Sequence, residues 1–330
     1  MYVALRSRRL FICASWDGYA KMKFVPDKIV TIIGSYNVGL FLRGEHLPER
    51  GETVIGDEFY EGGGGKGSNQ AVAAASFAGR ARFIGCVGFD KYGQDALQMY
   101  KRLGIECNSI RVEPTTHTGI SVILIDKYGQ NVISVVLGAN ARLSTKDIDA
   151  SEEALRTSFI VGFQLENEWK VVEYAIRKVH AMGVPTFLDP APAAKLPDDL
   201  YPCLDYIKPN ETEAATLTGI KVSGLASAED AGSWFIDRGV KHAIITLGEQ
   251  GAVLVTAGEV QHFRPPNLKA VDTTGAGDTF AGGFLSALSK GNSVEDAINF
   301  ANHAAAISVT RLGVIDAIPK LEEVEASMKG

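Results

Sequence analysis

Short apolar runs with little alternation recur along the chain. Residues 29–34, Ile29-Val30-Thr31-Ile32-Ile33-Gly34, are β-branched and apolar almost throughout, the pattern of a strand covered on both faces rather than one. Comparable runs stand at 82–87, 159–161, 186–188, 206–207 and 243–246. Between them the spacing changes to a helical one, over 68–77, 94–103, 169–182, 211–217 and 228–238. This alternation predicts an α/β domain of three layers built on a mostly parallel central sheet. Segments 38–62 and 107–139 break the rhythm: both are β-rich and punctuated by turns, as at Asp126-Lys127-Tyr128-Gly129-Gln130, with no helix inside either. Excursions of that length from an α/β core tend to be functional, and together they predict a small β-sheet lid over the site. The domain is expected to span 28–320, with 321–330 as a helix end or tail.

Composition narrows the function. Lys and Arg number 33 against 39 Asp and Glu, a net charge of -6, which argues against a general nucleic-acid binder because such binding needs basic side chains on phosphates. With 46% hydrophobic and 22% charged residues the chain can bury a large core. No apolar run is long enough to suggest a membrane span. The four cysteines are scattered, with no CxxC spacing, so neither a zinc site nor a disulfide framework is indicated, and a cytoplasmic setting is expected. Residues 1–27 carry Arg6, Arg8 and Arg9 and no clear period. They read either as a targeting segment or as sequence upstream of a start at Met22.

Two glycine-rich loops carry the chemistry. In Asp272-Thr273-Thr274-Gly275-Ala276-Gly277-Asp278-Thr279-Phe280 the glycines open an alanine-rich helix. Unpaired amides at such a mouth point outward and favour an anion. Asp278 in the first turn would stand beside that anion, able to take a proton from an attacking hydroxyl; a glycine turn with a capping aspartate would give the same pattern taken alone. The other loop is Gly62-Gly63-Gly64-Gly65-Lys66-Gly67-Ser68-Asn69-Gln70. It is not a Walker loop, and although it fits G-x-G-x-x-G, the acidic stretch before it is a poor doubly buried strand. A nicotinamide-dependent dehydrogenase is therefore the alternative enzyme reading, and a non-catalytic sugar or nucleotide sensor the alternative outside enzymes.

The two loops in this order, with Pro209-Asn210-Glu211-Thr212-Glu213 and Ile245-Thr246-Leu247-Gly248 between them, resemble the ribokinase or PfkB family of carbohydrate kinases over residues 29–320. The resemblance implies the ribokinase-like fold and ATP-dependent phosphorylation of a small sugar, D-ribose to D-ribose 5-phosphate first among candidates, or of another pentose, a hexose or a nucleoside. It implies Asp278 as base, with the amides of Gly275, Ala276 and Gly277 as anion hole. For the sugar it implies Asn37, Gly39, Gly65, Lys66, Gly67, Ser68, Asn69 and Glu166. For ATP it implies Asn210, Thr246, Leu247, Gly248, Glu249, Gln250, Gly251, Gly277, Asp278 and Asn302. Magnesium would be held by Glu213 through water, and potassium by Asp272, Thr274, Ser308, Arg311, Gly313 and Ala317. The family pattern also implies a homodimer through the lid. One departure stands out: the family usually reads Asn-x-Asp after the first strand, where this chain reads Asn37-Val38-Gly39.

Overall fold

The computed structural model describes residues 28–77 and 79–329; the segment 1–27 lies outside them. Nine strands form the large sheet. In chain order they are β1 (Ile29–Ile33), β4 (Arg80–Gly88), β5 (Glu106–Glu113), β8 (Ser158–Phe163), β9 (Thr186–Leu188), β10 (Tyr206–Ile207), β11 (His242–Thr246), β12 (Ala252–Val255) and β13 (Val260–Phe263). The other four, β2 (Asn37–Arg43), β3 (Glu58–Gly64), β6 (Gly119–Ile125) and β7 (Asn131–Val136), form a separate small sheet.

The large sheet runs β13-β12-β11-β10-β9-β8-β1-β4-β5. From β11 to β5 every neighbouring pair is parallel, and the pairs β11–β12 and β12–β13 are antiparallel. Every residue of β1 is buried, as the unbroken apolar run requires. Val30 and Ile32 face a core built with Ala71, Phe77, Phe284 and Ala301. On the opposite face Ile33 and Phe163 pack with Val172, Ile176 and Phe235, so the sheet lies between two helical layers.

On the first of those faces, helices Lys66–Ser76 and Ala276–Ser289 lie side by side, pointing the same way. Asp278 meets Asn69, an ideal Cβ on Gly282 would fall 2.4 Å from Cβ of Ala73, and Ser286 Oγ donates to the Phe77 carbonyl at 3.2 Å. Only small side chains permit that approach, and its consequence is that both glycine-rich loops open at the same place.

The small sheet has the order β3-β2-β6-β7, and each predicted lid segment contributes two strands to it, β2 and β3 from the first and β6 and β7 from the second. Residues 106–113 do not enter it, because β5 pairs in parallel with β4 at the far edge of the large sheet. The second lid piece therefore begins only at Gly119. Helix Leu321–Ser327 is integral rather than a tail, since its Val324 is fully buried. The segment before the first glycine loop is β3, an exposed lid-edge strand, and that placement removes the dinucleotide-binding reading, which needs a central strand there.

Candidate active site

Five parallel strands deliver their carboxyl ends to one crevice, where α/β sheets place ligands. Asn37 and Ser35 follow β1, Gln164 and Glu166 follow β8, Asp189 follows β9, Lys208 and Asn210 follow β10, and Thr246 closes β11. The two parallel helices complete the crevice.

Asp278 is 5% exposed. Asn69 Nδ2 donates to its Oδ2 at 2.8 Å, and Gln70 Nε2 to its Oδ1 at 3.2 Å. The carboxylate is thus fixed by two amides from the other glycine loop's helix. At the helix mouth, Gly275 has φ of 77° and an ideal Cβ there would lie 2.6 Å from Val314 Cγ1, so both conformation and space demand glycine. The Ala276 amide leans back on the Thr273 carbonyl at 3.3 Å. Among the described residues, the mouth amides without a backbone acceptor are those of Gly275, Gly277 and Asp278. The amides left open at the mouth are thus Gly275, Gly277 and Asp278, against the expected set of Gly275, Ala276 and Gly277.

Two cavities meet here. A cleft of about 1080 Å³ is lined by Asn210, Glu213, Thr246, Gly248, Glu249, Gln250, Gly251, Asn302 and the helix mouth. A smaller one of about 280 Å³ lies under the lid, lined by Asn37, Gly39, Gly65, Asn69, Glu166, Asp272 and Thr274. Lys66, Gly275 and Asp278 line both. The negative charge of Asp278 raises the pKa of Lys66 well above the ordinary lysine range, outweighing burial, which acts the other way.

In the smaller cavity, Glu166 Oε2 accepts from Ser35 Oγ at 2.5 Å and from the Lys66 amide at 2.9 Å, while Asn37 Oδ1 accepts from Asn140 Nδ2 at 2.8 Å. Of the residues expected at the sugar, Ser68 is fully buried and Gly67 packs against the backbone of Gly34 and Ser35, and neither lines either cavity. Leu247 is likewise a core residue, 3% exposed, so its neighbours Thr246 and Gly248 do the lining.

Asn210 and Glu213 form a reciprocal cap, the Glu213 amide donating to Asn210 Oδ1 at 2.8 Å and the Asn210 amide to Glu213 Oε2 at 2.9 Å. One oxygen of Glu213 is left toward the cleft. Among the described residues no group of three or more His, Cys, Asp or Glu gathers as a metal cage. A lone carboxylate fits magnesium, which keeps most of its waters beside phosphates. Asp272 accepts from the amides of Thr274 at 2.9 Å and Gly313 at 3.2 Å, tying two loops together. The side chains of the other expected potassium residues turn elsewhere. Arg311 pairs with Glu323, Ser308 Oγ donates to the Ala305 carbonyl, and Ala317 is buried. A monovalent cation here would rely on backbone carbonyls. Asn302 lines the cleft but spends its amide on the Phe263 carbonyl at 3.0 Å.

Sequence reasoning missed a buried set behind Asp278. Gln70 Nε2 also donates to Asp189 Oδ2 at 2.8 Å, and Gln164 Nε2 to Gln70 Oε1 at 2.6 Å. Lys208 Nζ lies 3.1 Å from Asp189 Oδ1. Each of these residues but Gln70 follows the end of a predicted strand, and that position was the available signal.

A profile of pfkB family carbohydrate kinases matches residues 27–321. Among curated proteins, the ribokinase of Haemophilus influenzae is 38% identical over 296 residues, 90% of this chain and 97% of that protein. The deoxyribokinase of Salmonella typhimurium is 35% identical over 295 residues, 89% of this chain and 96% of that one. The structure of Arabidopsis thaliana ribokinase complexed with ribose and ATP superposes with a TM-score of 0.85 at 31% identity, covering 92% of this chain and 99% of that chain.

Proposed function

This chain belongs to the pfkB family of carbohydrate kinases and is an ATP-dependent sugar kinase of the ribokinase type, and from that premise we propose how its residues divide the work. The observation that carries the reading is the meeting of two cavities at Asp278 and Lys66. ATP occupies the larger, over the turn Gly248–Gln250 and Gly251, and a pentose occupies the smaller, with D-ribose to D-ribose 5-phosphate as the reference reaction.

The sugar's primary hydroxyl stands at Asp278, oriented by Asn37, Lys66, Asn69 and Glu166. As its oxygen forms a bond to the γ-phosphorus, the β,γ-bridging bond breaks and its electron pair leaves on ADP. The hydroxyl proton passes to the Asp278 carboxylate. An ordinary carboxylate suffices because in a loose transition state that proton departs late. The amides of Gly275, Gly277 and Asp278 hold the transferring group, and such preorganised donors supply most of the acceleration. Lys66 adds charge between the cavities. Magnesium, held through water by Glu213, would supply charge neutralisation on the β- and γ-phosphates; potassium would be held by carbonyls of the loops that Asp272 joins. The lid excludes water that would otherwise compete for the phosphoryl group.

Support for a homodimer comes from the lid's outer face, where Leu42, Phe59, Val132 and Val136 are 37%, 63%, 54% and 54% exposed. No helix among the described residues is long and apolar enough to cross a membrane, which together with ATP as donor supports a cytoplasmic enzyme.

The test is ADP release with ATP, magnesium and a panel of pentoses, and then Asp278→Asn. That variant is expected to bind ATP as the wild type does while kcat falls about 10²–10⁴-fold. Ligand-shifted melting with no ADP released would favour a sensor, and near-normal turnover in the variant would remove Asp278 from its role.

A further inference from the structure

Lys208 and Asp189 form a buried ion pair that the reaction as described leaves unused. Their side chains are 4% and 3% exposed. A buried pair of this kind is weak evidence of stabilisation, since desolvation consumes most of the attraction and a neutral pair of similar shape often serves as well. Its position suggests another reason for it. Lys208 lines the ATP cleft together with the helix mouth. Its Nζ lies 3.1 Å from Asp189 Oδ1 and donates to the Gly277 carbonyl at 3.4 Å, at the residue whose amide faces the anion. Asp189 is held in turn by Gln70, which also holds Asp278. Two hydrogen bonds and an ion pair thus link Asp278 through Gln70 and Asp189 to a cation beside the helix mouth.

We propose that Lys208 is a second cation of phosphoryl transfer, aimed by Asp189 at the γ-phosphoryl group as it crosses the helix mouth. This rests on the kinase reading above. During transfer the sugar oxygen bonds to phosphorus, the bond to ADP breaks with its electrons leaving on ADP, and the proton goes to Asp278. Lys208 exchanges no proton; its ammonium group meets the negative charge on the equatorial oxygens opposite Lys66. The Gln70 link means that base and cation share one positioning unit.

The decisive variant is Asp189→Asn with Lys208→Met, which removes both charges together and leaves no buried charge unpaired. A merely structural pair would tolerate this exchange. The expected result is kcat lowered about 100-fold or more with KM for sugar and ATP within about threefold, alongside an ordinary ATP-induced rise in melting temperature. A double variant within about tenfold of wild-type kcat, or one whose loss lies in KM for ATP, overturns the proposal. Lys208→Arg supplies a check should the double variant fold poorly: it retains the cation and is expected to exceed Lys208→Met in kcat by about tenfold, and equal activity of the two overturns the assignment. Wild-type protein that phosphorylates no sugar sinks the kinase reading itself, whereas an active wild type with an active double variant sinks only the role of Lys208.

Discussion

Gly39 shows how much one side chain can decide. Positions 37, 39, 41 and 43 of β2 all line the sugar cavity, and Phe41 folds back so that an ideal Cβ on Gly39 would lie 2.6 Å from its Cε2. The ring is stacked on Tyr60 across the strand pair, centroids 4.4 Å apart, so the space beside Gly39 is filled by an aromatic edge instead of a carboxylate. Gly39→Asp alone is therefore expected to leave KM for ribose nearly unchanged, because Phe41 must abandon its stack to admit the new side chain. Combined with Phe41→Ala the carboxylate gains access, and a charge-assisted hydrogen bond of about 1.5–3 kcal/mol corresponds to a KM lowered roughly tenfold to a hundredfold. Steady-state kinetics on both variants decide it, and a single variant that improves as much as the double one would show that Phe41 is no obstacle. Asp278, Lys66 and Asn69 were legible because each stands within a glycine-rich loop whose chemistry is local. Asp189 and Lys208 were not, since nothing at either position announces a partner that only sheet order brings within 3.1 Å.

At the scale of elements, the N-terminus of helix Ala276–Ser289 is set by Gly275 in a left-handed conformation. Gly275→Ala would add a methyl group 2.6 Å from Val314 Cγ1 at φ of 77°, a combination costing roughly 1–3 kcal/mol in backbone strain and displaced packing. The expected outcome is a lowered melting temperature with a larger fractional loss of kcat than of ATP affinity, because the mouth amides shift relative to Asp278. Calorimetry and kinetics on one preparation check both parts; a variant that melts lower yet keeps full kcat would show the mouth tolerates displacement. Parallel strands were legible as unbroken apolar runs, since burial on both faces leaves no alternation to misread. Strands β12 and β13 and helix Val294–Ser308 went unseen, and the partly exposed edge strand β5 was assigned to the lid. β13, at the sheet's other edge, is also partly exposed, and such edges lose the signal that marked the centre.

The molecule as a whole should respond to acid through two histidines remote from the chemistry. Burial pushes the pKa of His242, stacked on Tyr206, below the ordinary histidine value, and burial does the same to His303. Their neutral forms are favoured in the fold, so the unfolded chain takes up protons first as pH falls past about 6.5. Stability present above that pH is lost below it. Melting temperatures between pH 7.5 and 5.5 are expected to fall, and to fall less in His242→Gln with His303→Gln; an unchanged slope would place the acid sensitivity elsewhere.

Assembly is the larger question at that scale. The lid alternates: odd positions of β2, β6 and β7 face the sugar cavity, and even positions face away. Register joins Leu42 to Phe59, Leu124 to Val132 and Ile120 to Val136, so the outward apolar residues form one continuous patch on a four-stranded sheet. Isolated exposed apolar side chains need no explanation, but a contiguous face of them does. Two lids packed face to face would cover it and would stiffen the inward positions that close over the sugar. Val132→Lys with Val136→Lys places two charges on the patch without touching the cavity lining. Sedimentation is expected to show the wild type as a dimer and the variant as a monomer, and KM for the sugar is expected to rise more than KM for ATP, whose cleft contains no lid residue. A variant that remains dimeric would locate the interface on another surface, and a monomer with unchanged sugar KM would separate assembly from lid closure.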